Sequence, residues 1–222
     1  MKNLTGFAAI LWMISSSALA QDDRAMDVTA LGRMLHVGDL VFIRVDAFPF
    51  RKVASATMSW TNHVGIVVDA SGREPGIAES TFPFSRETTF SDFAGRSEGG
   101  RIAVSRMNLD QAQEERLKQA AAKRYGIHYD TGFDLYSRGQ FCSRFVREIM
   151  SDATSIRLGE VESFSELLNR NPHTDLAFWK AWYFGYIPWQ RKTVTPASLL
   201  EDRRLQKVFD GHVFASRANQ RG

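Results

Sequence analysis

The sequence predicts an α+β protein, and three observations carry that prediction. Short apolar segments with strand-like alternation occupy the first half, a charged, alanine-rich helical pattern begins at Asp110, and an amphipathic helix starts at Cys142. The 222 residues are 44% hydrophobic and 24% charged, a globular balance that excludes a disordered chain, a collagen-like repeat and a coiled coil. Removing residues 1–20 leaves enough chain for one well-packed domain. Residues 21–222 therefore read as a single domain with a C-terminal, aromatic-rich helical elaboration.

Each element has its own warrant. Met1-Lys2, the apolar run Phe7 to Ile14 and the small residues up to Ala18-Leu19-Ala20 form the three parts of a secretory signal, with Gln21 as the first mature residue. The run is too short to span a membrane, so the expectation is an exported protein, periplasmic or secreted. Asp39 to Val45 places Val41, Ile43 and Val45 on one face of a strand, introduced by Gly38; His63–Asp69, Gly76–Ser80 and Arg101–Met107 read as three more. A helix follows, with Asp110 as N-cap and Gly126 as its stop. In Cys142 to Asp152 the stripe of Phe145, Val146, Ile149 and Met150 includes Cys142. Ser163 with Glu166 matches a capping box, and Thr195-Pro196 an N-cap followed by proline at the first helical position. Between them, seven of the twelve residues Phe178–Trp189 are aromatic. They read either as core or as the wall of a substrate pocket, with Trp60, Trp179 and Trp182 as candidate lining residues, or as a patch touching lipid. The tail from Arg217 is polar and expected to fray.

The charges exclude one function class. Lys and Arg number 28 against 25 acids, giving +3 and a pI near 9.1, but the basic residues are interleaved with acids, so no nucleic-acid partner is expected. Cys142 is the only cysteine, so it is either a buried small apolar residue or a functional thiol. At the first turn of a helix, exposed N–H groups and the positive dipole end favour a thiolate. His63 opens a strand on the same side as Gly65 and Val67, and Glu79 shares a face with Ile77. If those strands are neighbours, imidazole and carboxylate meet. A cysteine nucleophile, a histidine base and an acid orienting the imidazole make the arrangement for acyl transfer. His36, His63, His128, His173 and His212 are dispersed, with no His-Glu-x-x-His, phosphate loop or dinucleotide fingerprint, so no metal and no cofactor are expected.

A resemblance joins these pieces. The runs Gly38-Asp39-Leu40-Val41-Phe42, Ser59-Trp60-Thr61-Asn62-His63-Val64-Gly65-Ile66, Ala78-Glu79-Ser80 and Gln140-Phe141-Cys142-Ser143-Arg144-Phe145-Val146 resemble the YiiX/YebB-like family of circularly permuted papain-like enzymes, relatives of NlpC-type hydrolases. Thr131-Gly132-Phe133, Glu166-Leu167-Leu168-Asn169 and the segment Ile187 to Leu199 extend it over most of the chain. The resemblance implies a permuted papain-like fold, an antiparallel sheet or barrel with packed helices, in which histidine and acid precede the cysteine. It implies Cys142 as nucleophile, His63 as base and then acid, and Glu79 as orienting group. The backbone N–H of Cys142 would hold the oxyanion, with Tyr129 as first candidate for the second donor and Gln140 as the next. The expected function is an exported cysteine amidase acting on a cell-wall peptide or an N-acyl, lipid-like amide, with contact to the cell wall or a membrane surface. The competing readings are a non-catalytic lipid- or peptide-binding module on the same scaffold and an acyltransferase.

Overall fold

Alternating side-chain direction along the strands explains the architecture: apolar residues on both faces of a central sheet must be covered by helices on both sides. The structure, a computed structural model, describes residues 24–215; the expected leader at 1–20 and the tail from Arg217 lie outside the described residues. In chain order the elements are β1 (Arg24–Asp27), α1 (Val28–Gly32), β2 (Leu40–Val45), α2 (Phe50–Ala56), β3 (His63–Asp69), β4 (Gly76–Ser80), β5 (Ser85–Thr89), α3 (Phe90–Gly95) and β6 (Ser97–Arg106). Then come α4 (Gln111–Ala122), α5 (Cys142–Thr154), β7 (Glu162–Ser163), α6 (Phe164–Arg170), α7 (Leu176–Trp182), β8 (Lys192–Thr193), α8 (Pro196–Leu200) and β9 (Gln206–Phe214).

Seven strands form one sheet in the order β1-β9-β6-β2-β3-β4-β5, while β7 and β8 pair separately. Every pair in the large sheet is antiparallel except β1 with β9, which is parallel. The expected barrel is corrected here: the sheet is open, because β1 and β5 are edges that do not pair with each other. The β5 edge is short and presents exposed Arg86 and Glu87, a polar rim that discourages further strand pairing.

On one face Leu40, Phe42, Val64, Ile66 and Ala103 pack against Leu117 and Ala121 of α4 and Phe145, Val146 and Ile149 of α5. On the other, Val41, Ile43, Val67, Ile77 and Val104 meet Leu31 of α1 and Phe90 and Phe93 of α3. Each large buried side chain contributes about 1.5–3 kcal/mol relative to exposure, so the strands are held from both sides. A third cluster, Ala56, Phe164, Leu168, Trp179 and Ile187, joins α2, α6 and α7 beside the sheet.

Several boundaries differ from the sequence expectation. α4 ends at Ala122, and Gly126 (φ 77) instead closes the turns after it, its N–H donating to the Ser85 carbonyl. β6 begins four residues earlier than Arg101, running through Gly99 and Gly100 at positive φ, where a Cβ on Gly100 would strike the Val213 carbonyl. β1, β5 and β9 are strands that mixed polarity concealed, and α1, α2 and α3 are too short to show a helical period.

Candidate active site

The register of two adjacent strands builds one half of the site. β3 pairs with β4 through Ile66 opposite Ala78 and Val67 opposite Ile77, which brings His63 at the start of β3 near Glu79 on the same face. His63 Nε2 lies 2.7 Å from Glu79 Oε2, and both side chains are fully enclosed. Two guanidinium groups reach the same carboxylate: Arg96 Nη2 donates to Oε2 at 2.7 Å, and Arg86 Nε, from the position opposite Glu79 on β5, donates to Oε1 at 3.3 Å. Burial alone would raise the Glu79 pKa, but the hydrogen bond and charge of His63, with Arg96, overcome it and hold the carboxyl at about 2. Burial likewise lowers that of His63, but Cys142 and Glu79 together raise it to about 9. Its neighbours thus favour the charged form of the ring against the cost of burial.

The second half comes from α5. Its stripe of Phe145, Val146, Ile149 and Met150 is fully buried against the sheet, so Cys142, the first helical residue, is held at a fixed height beside β3. The N-cap Phe141 provides no side-chain cap, which leaves the first-turn N–H groups unclaimed by a capping side chain. The helices α4, α6 and α8, by contrast, start with capping boxes. Since Nε2 of His63 is taken by Glu79, Nδ1 remains for Cys142; it is buried without an aligned hydrogen-bond partner, and the thiol interacts with the ring.

Tyr129 joins these groups. Its hydroxyl is buried without a hydrogen-bond partner, and the phenol is kept well above its ordinary range first by burial and then by Cys142. Gln140 behaves otherwise. Its side-chain N–H is committed to Glu148 Oε2 at 3.2 Å, while its carbonyl accepts from Asp130 N at 2.8 Å and Ser80 Oγ at 2.9 Å. It ties the preceding loop to α5 and β4, whereas the Tyr129 hydroxyl has no such commitment. Arg144 reinforces that loop, donating from Nη1 to the carbonyls of Ser137 and Gly139, each at 2.8 Å.

A narrow cavity of about 40 Å3 opens from Cys142 between the sheet and the third cluster. Its walls are Phe50, Val53, Phe133, Phe164, Leu168 and Trp179, with Val194 and Pro196 closing one side and Tyr129 and Asn62 bordering the thiol. Of the three tryptophans expected there, Trp179 alone lines it. Trp60 instead lies under the Arg101 guanidinium at 4.8 Å and packs on the α4–α5 core. Trp182 stacks on Phe178 and donates its indole N–H to the Thr131 carbonyl, which turns it outward. The walls from α2, and the residues Phe93 and Arg96 of α3 and its C-cap, escaped sequence reading. Gly65 was the available signal: a Cβ there would lie 2.5 Å from Ile77 Cγ2 and 2.8 Å from Phe93 Cε2, so a bare position two residues beyond His63 marks where a ring lies on the sheet.

Comparisons with known proteins identify a family and a similar fold. The family model described as permuted papain-like amidase enzyme, YaeF/YiiX, C92 family, matches residues 34–209. The protein YiiX of Escherichia coli (strain K12), described as uncharacterized, is 25% identical over 185 residues, covering 82% of this chain and 90% of that protein. The crystal structure of the metalloprotein YiiX from Escherichia coli O157:H7 superposes with a TM-score of 0.73 at 26% identity, covering 80% of this chain and 98% of that one. Among the described residues of this chain, no three His, Cys, Asp or Glu side chains gather in a group that could hold a metal ion.

Proposed function

The chain belongs to the permuted papain-like amidase family, and on that footing we propose that it is a cysteine amidase in which Cys142, His63 and Glu79 cleave an amide through an acyl-enzyme. The observation that carries this reading is the buried His63–Glu79 pair at 2.7 Å with Nδ1 left for a thiol at the uncapped start of a 13-residue helix. The Cys142 sulfur attacks the amide carbonyl and forms a thioester precursor whose oxyanion accepts from the Cys142 backbone N–H and the Tyr129 hydroxyl. His63 Nδ1–H passes its proton to the departing amine, breaking the C–N bond and leaving the thioester. A water then gives one proton to Nδ1 and attacks the thioester with its oxygen, breaking the C–S bond to release the carboxylic acid and restore the Cys142 thiolate beside the protonated ring. Glu79 keeps the imidazole oriented and its positive form stabilised throughout.

The walls of the slot support one substrate class over the other. A slot bordered by Phe50, Val53, Phe133, Phe164, Leu168 and Trp179 suits an apolar acyl chain better than a charged cell-wall peptide, since a peptide backbone would find few partners for its N–H and C=O groups there. We accordingly favour an N-acyl, lipid-like amide. Export is part of the same proposal and rests on residues 1–20; among the described residues no helix is long and apolar enough to cross a membrane. N-terminal sequencing of the secreted-fraction protein should begin at Gln21, and a start at Met1 would remove this part.

The first test is the rate of iodoacetamide alkylation of Cys142 against pH, read by intact mass, in wild type and His63→Ala. The single cysteine makes the signal unambiguous. Rapid alkylation at mildly acidic pH that His63→Ala abolishes supports the reading; a thiol inert until denaturation overturns it in favour of a binding module. Hydrolysis of a series of N-acyl amides, with and without amine acceptors, then separates amidase from acyltransferase.

A further inference from the structure

The His63–Glu79 pair is gripped from one side by a short element that the reaction scheme does not use. Thr89 caps α3 through the Asp92 N–H, and the helix delivers Phe93 and, at its C-cap, Arg96 to the back of the pair. The Phe93 ring stacks on the imidazole, centroids 5.5 Å apart at 29°, over the bare Gly65. Arg96 also contacts Phe93, its guanidinium carbon 5.1 Å from the ring centroid, and donates to the same Glu79 oxygen that holds His63. A single oxygen thus binds both the imidazole and the guanidinium, while one aromatic ring touches them both. Arg86 is a weaker partner: it is 56% exposed against 30% for Arg96 and sits 3.3 Å from the other oxygen.

We propose that Arg96 and Phe93 are positioning residues for amide cleavage, the ring fixing the plane of His63 and the guanidinium holding in place the Glu79 oxygen that pairs with the imidazole. The inference rests on reading Cys142, His63 and Glu79 as the reacting set. Three ionisable groups besides Arg96 bear on Glu79, namely His63 from β3, Arg86 from β5 and Tyr129 from the loop, while Cys142 of α5 bears on His63. Arg96 is the one whose removal deprives the His63-bearing oxygen of its second donor. Without it the carboxyl should protonate at higher pH, and the imidazolium should lose its partner there.

The test is alkylation of Cys142 by iodoacetamide from about pH 3 to pH 10 in wild type, Arg96→Gln, Arg96→Lys, Phe93→Leu and Arg86→Gln, with melting temperatures measured alongside. Arg96→Gln should move the acid limb of the rate profile up by about one pH unit. Arg96→Lys keeps the charge and should restore the limb, but lower the plateau several-fold because the planar fork and its contact with Phe93 are gone. Phe93→Leu should lower the plateau as well, and Arg86→Gln should shift the limb less than Arg96→Gln. A limb unmoved in Arg96→Gln, with only the melting temperature reduced, overturns the proposal as a merely structural contact. If Arg96→Gln fails to fold, wild-type plateaus in both Arg96→Lys and Phe93→Leu overturn it. His63→Ala separates the two levels: an unchanged profile in that variant defeats the underlying assignment, whereas a lost profile beside an unmoved Arg96→Gln limb defeats this inference alone.

Discussion

At the scale of single residues, opposite charges in one buried hydrogen bond set how the site responds to pH. Glu79 is held at about 2 against an ordinary 4.5, so its contribution to stability is complete above 4.5 and is lost as pH falls toward 2. His63 is raised from 6.5 to about 9, so its contribution is complete below 6.5 and is lost as pH rises through 9. The pair therefore stabilises the fold most between about 4.5 and 6.5. The difference in melting temperature between wild type and the double variant His63→Leu/Glu79→Leu should shift most in favour of wild type in that window and decline on both sides. A difference that stays flat across the range would contradict the linkage. Removing the Tyr129 hydroxyl, with Tyr129→Phe, should reduce kcat on an amide by about 10–100-fold with little change in KM, as expected of a donor that matters chiefly to the oxyanion. These groups were legible as residue types, since His63, Glu79, Tyr129 and Cys142 stand in recognisable runs. Gln140 shows the opposite case: its neighbour relation to Cys142 was visible, but its commitment to Glu148 was not.

At the scale of elements, legibility followed locality. The capping boxes of Asp110 with Gln113, Ser163 with Glu166, and Thr195 with Ser198 form within one turn, so the helices they open could be read directly. The amphipathic stripe of α5 was equally plain. The short helix α3 was not, because six residues carry no period, and its place behind His63 depends on Gly65 in another strand. Gly65→Ala should therefore destabilise the protein by about 1–3 kcal/mol and slow Cys142 alkylation, because the added methyl pushes Phe93 off the imidazole. Urea unfolding followed by fluorescence checks the first effect and intact mass the second; wild-type values for both would show that the ring can shift freely. Arg144→Ala should cost alkylation rate more than stability, since Arg144 fastens the loop carrying Tyr129 and Gln140 to the helix that begins at Cys142.

At the scale of the whole molecule, the site lies where three apolar clusters meet. The strands carrying His63 and Glu79 belong to a sheet covered on both faces, Cys142 starts the helix on one of those faces, and the slot is walled by the third cluster beside them. Ala56 of α2 lines that slot and is buried. Ala56→Phe should fill it, cutting turnover of long-chain N-acyl amides more than 10-fold while leaving the shortest acyl amides within about two-fold, because a ring occupies the volume an acyl chain would take. Equal losses for every chain length would mean that the slot does not receive the acyl group.

The sequence by itself determined the α+β class and the helix that begins at Cys142, because those rest on composition, period and contacts within a few residues; His63, Glu79 and Cys142 came as a candidate set through the family resemblance. Tertiary structure alone decided that the sheet stays open, that Trp179 rather than Trp60 or Trp182 faces the slot, and that Arg96 and Phe93 stand behind the imidazole. Those outcomes depend on which distant segments share a face. Such choices are fixed by packing across the sheet and by the space left at Gly65, neither of which any short stretch of the chain contains.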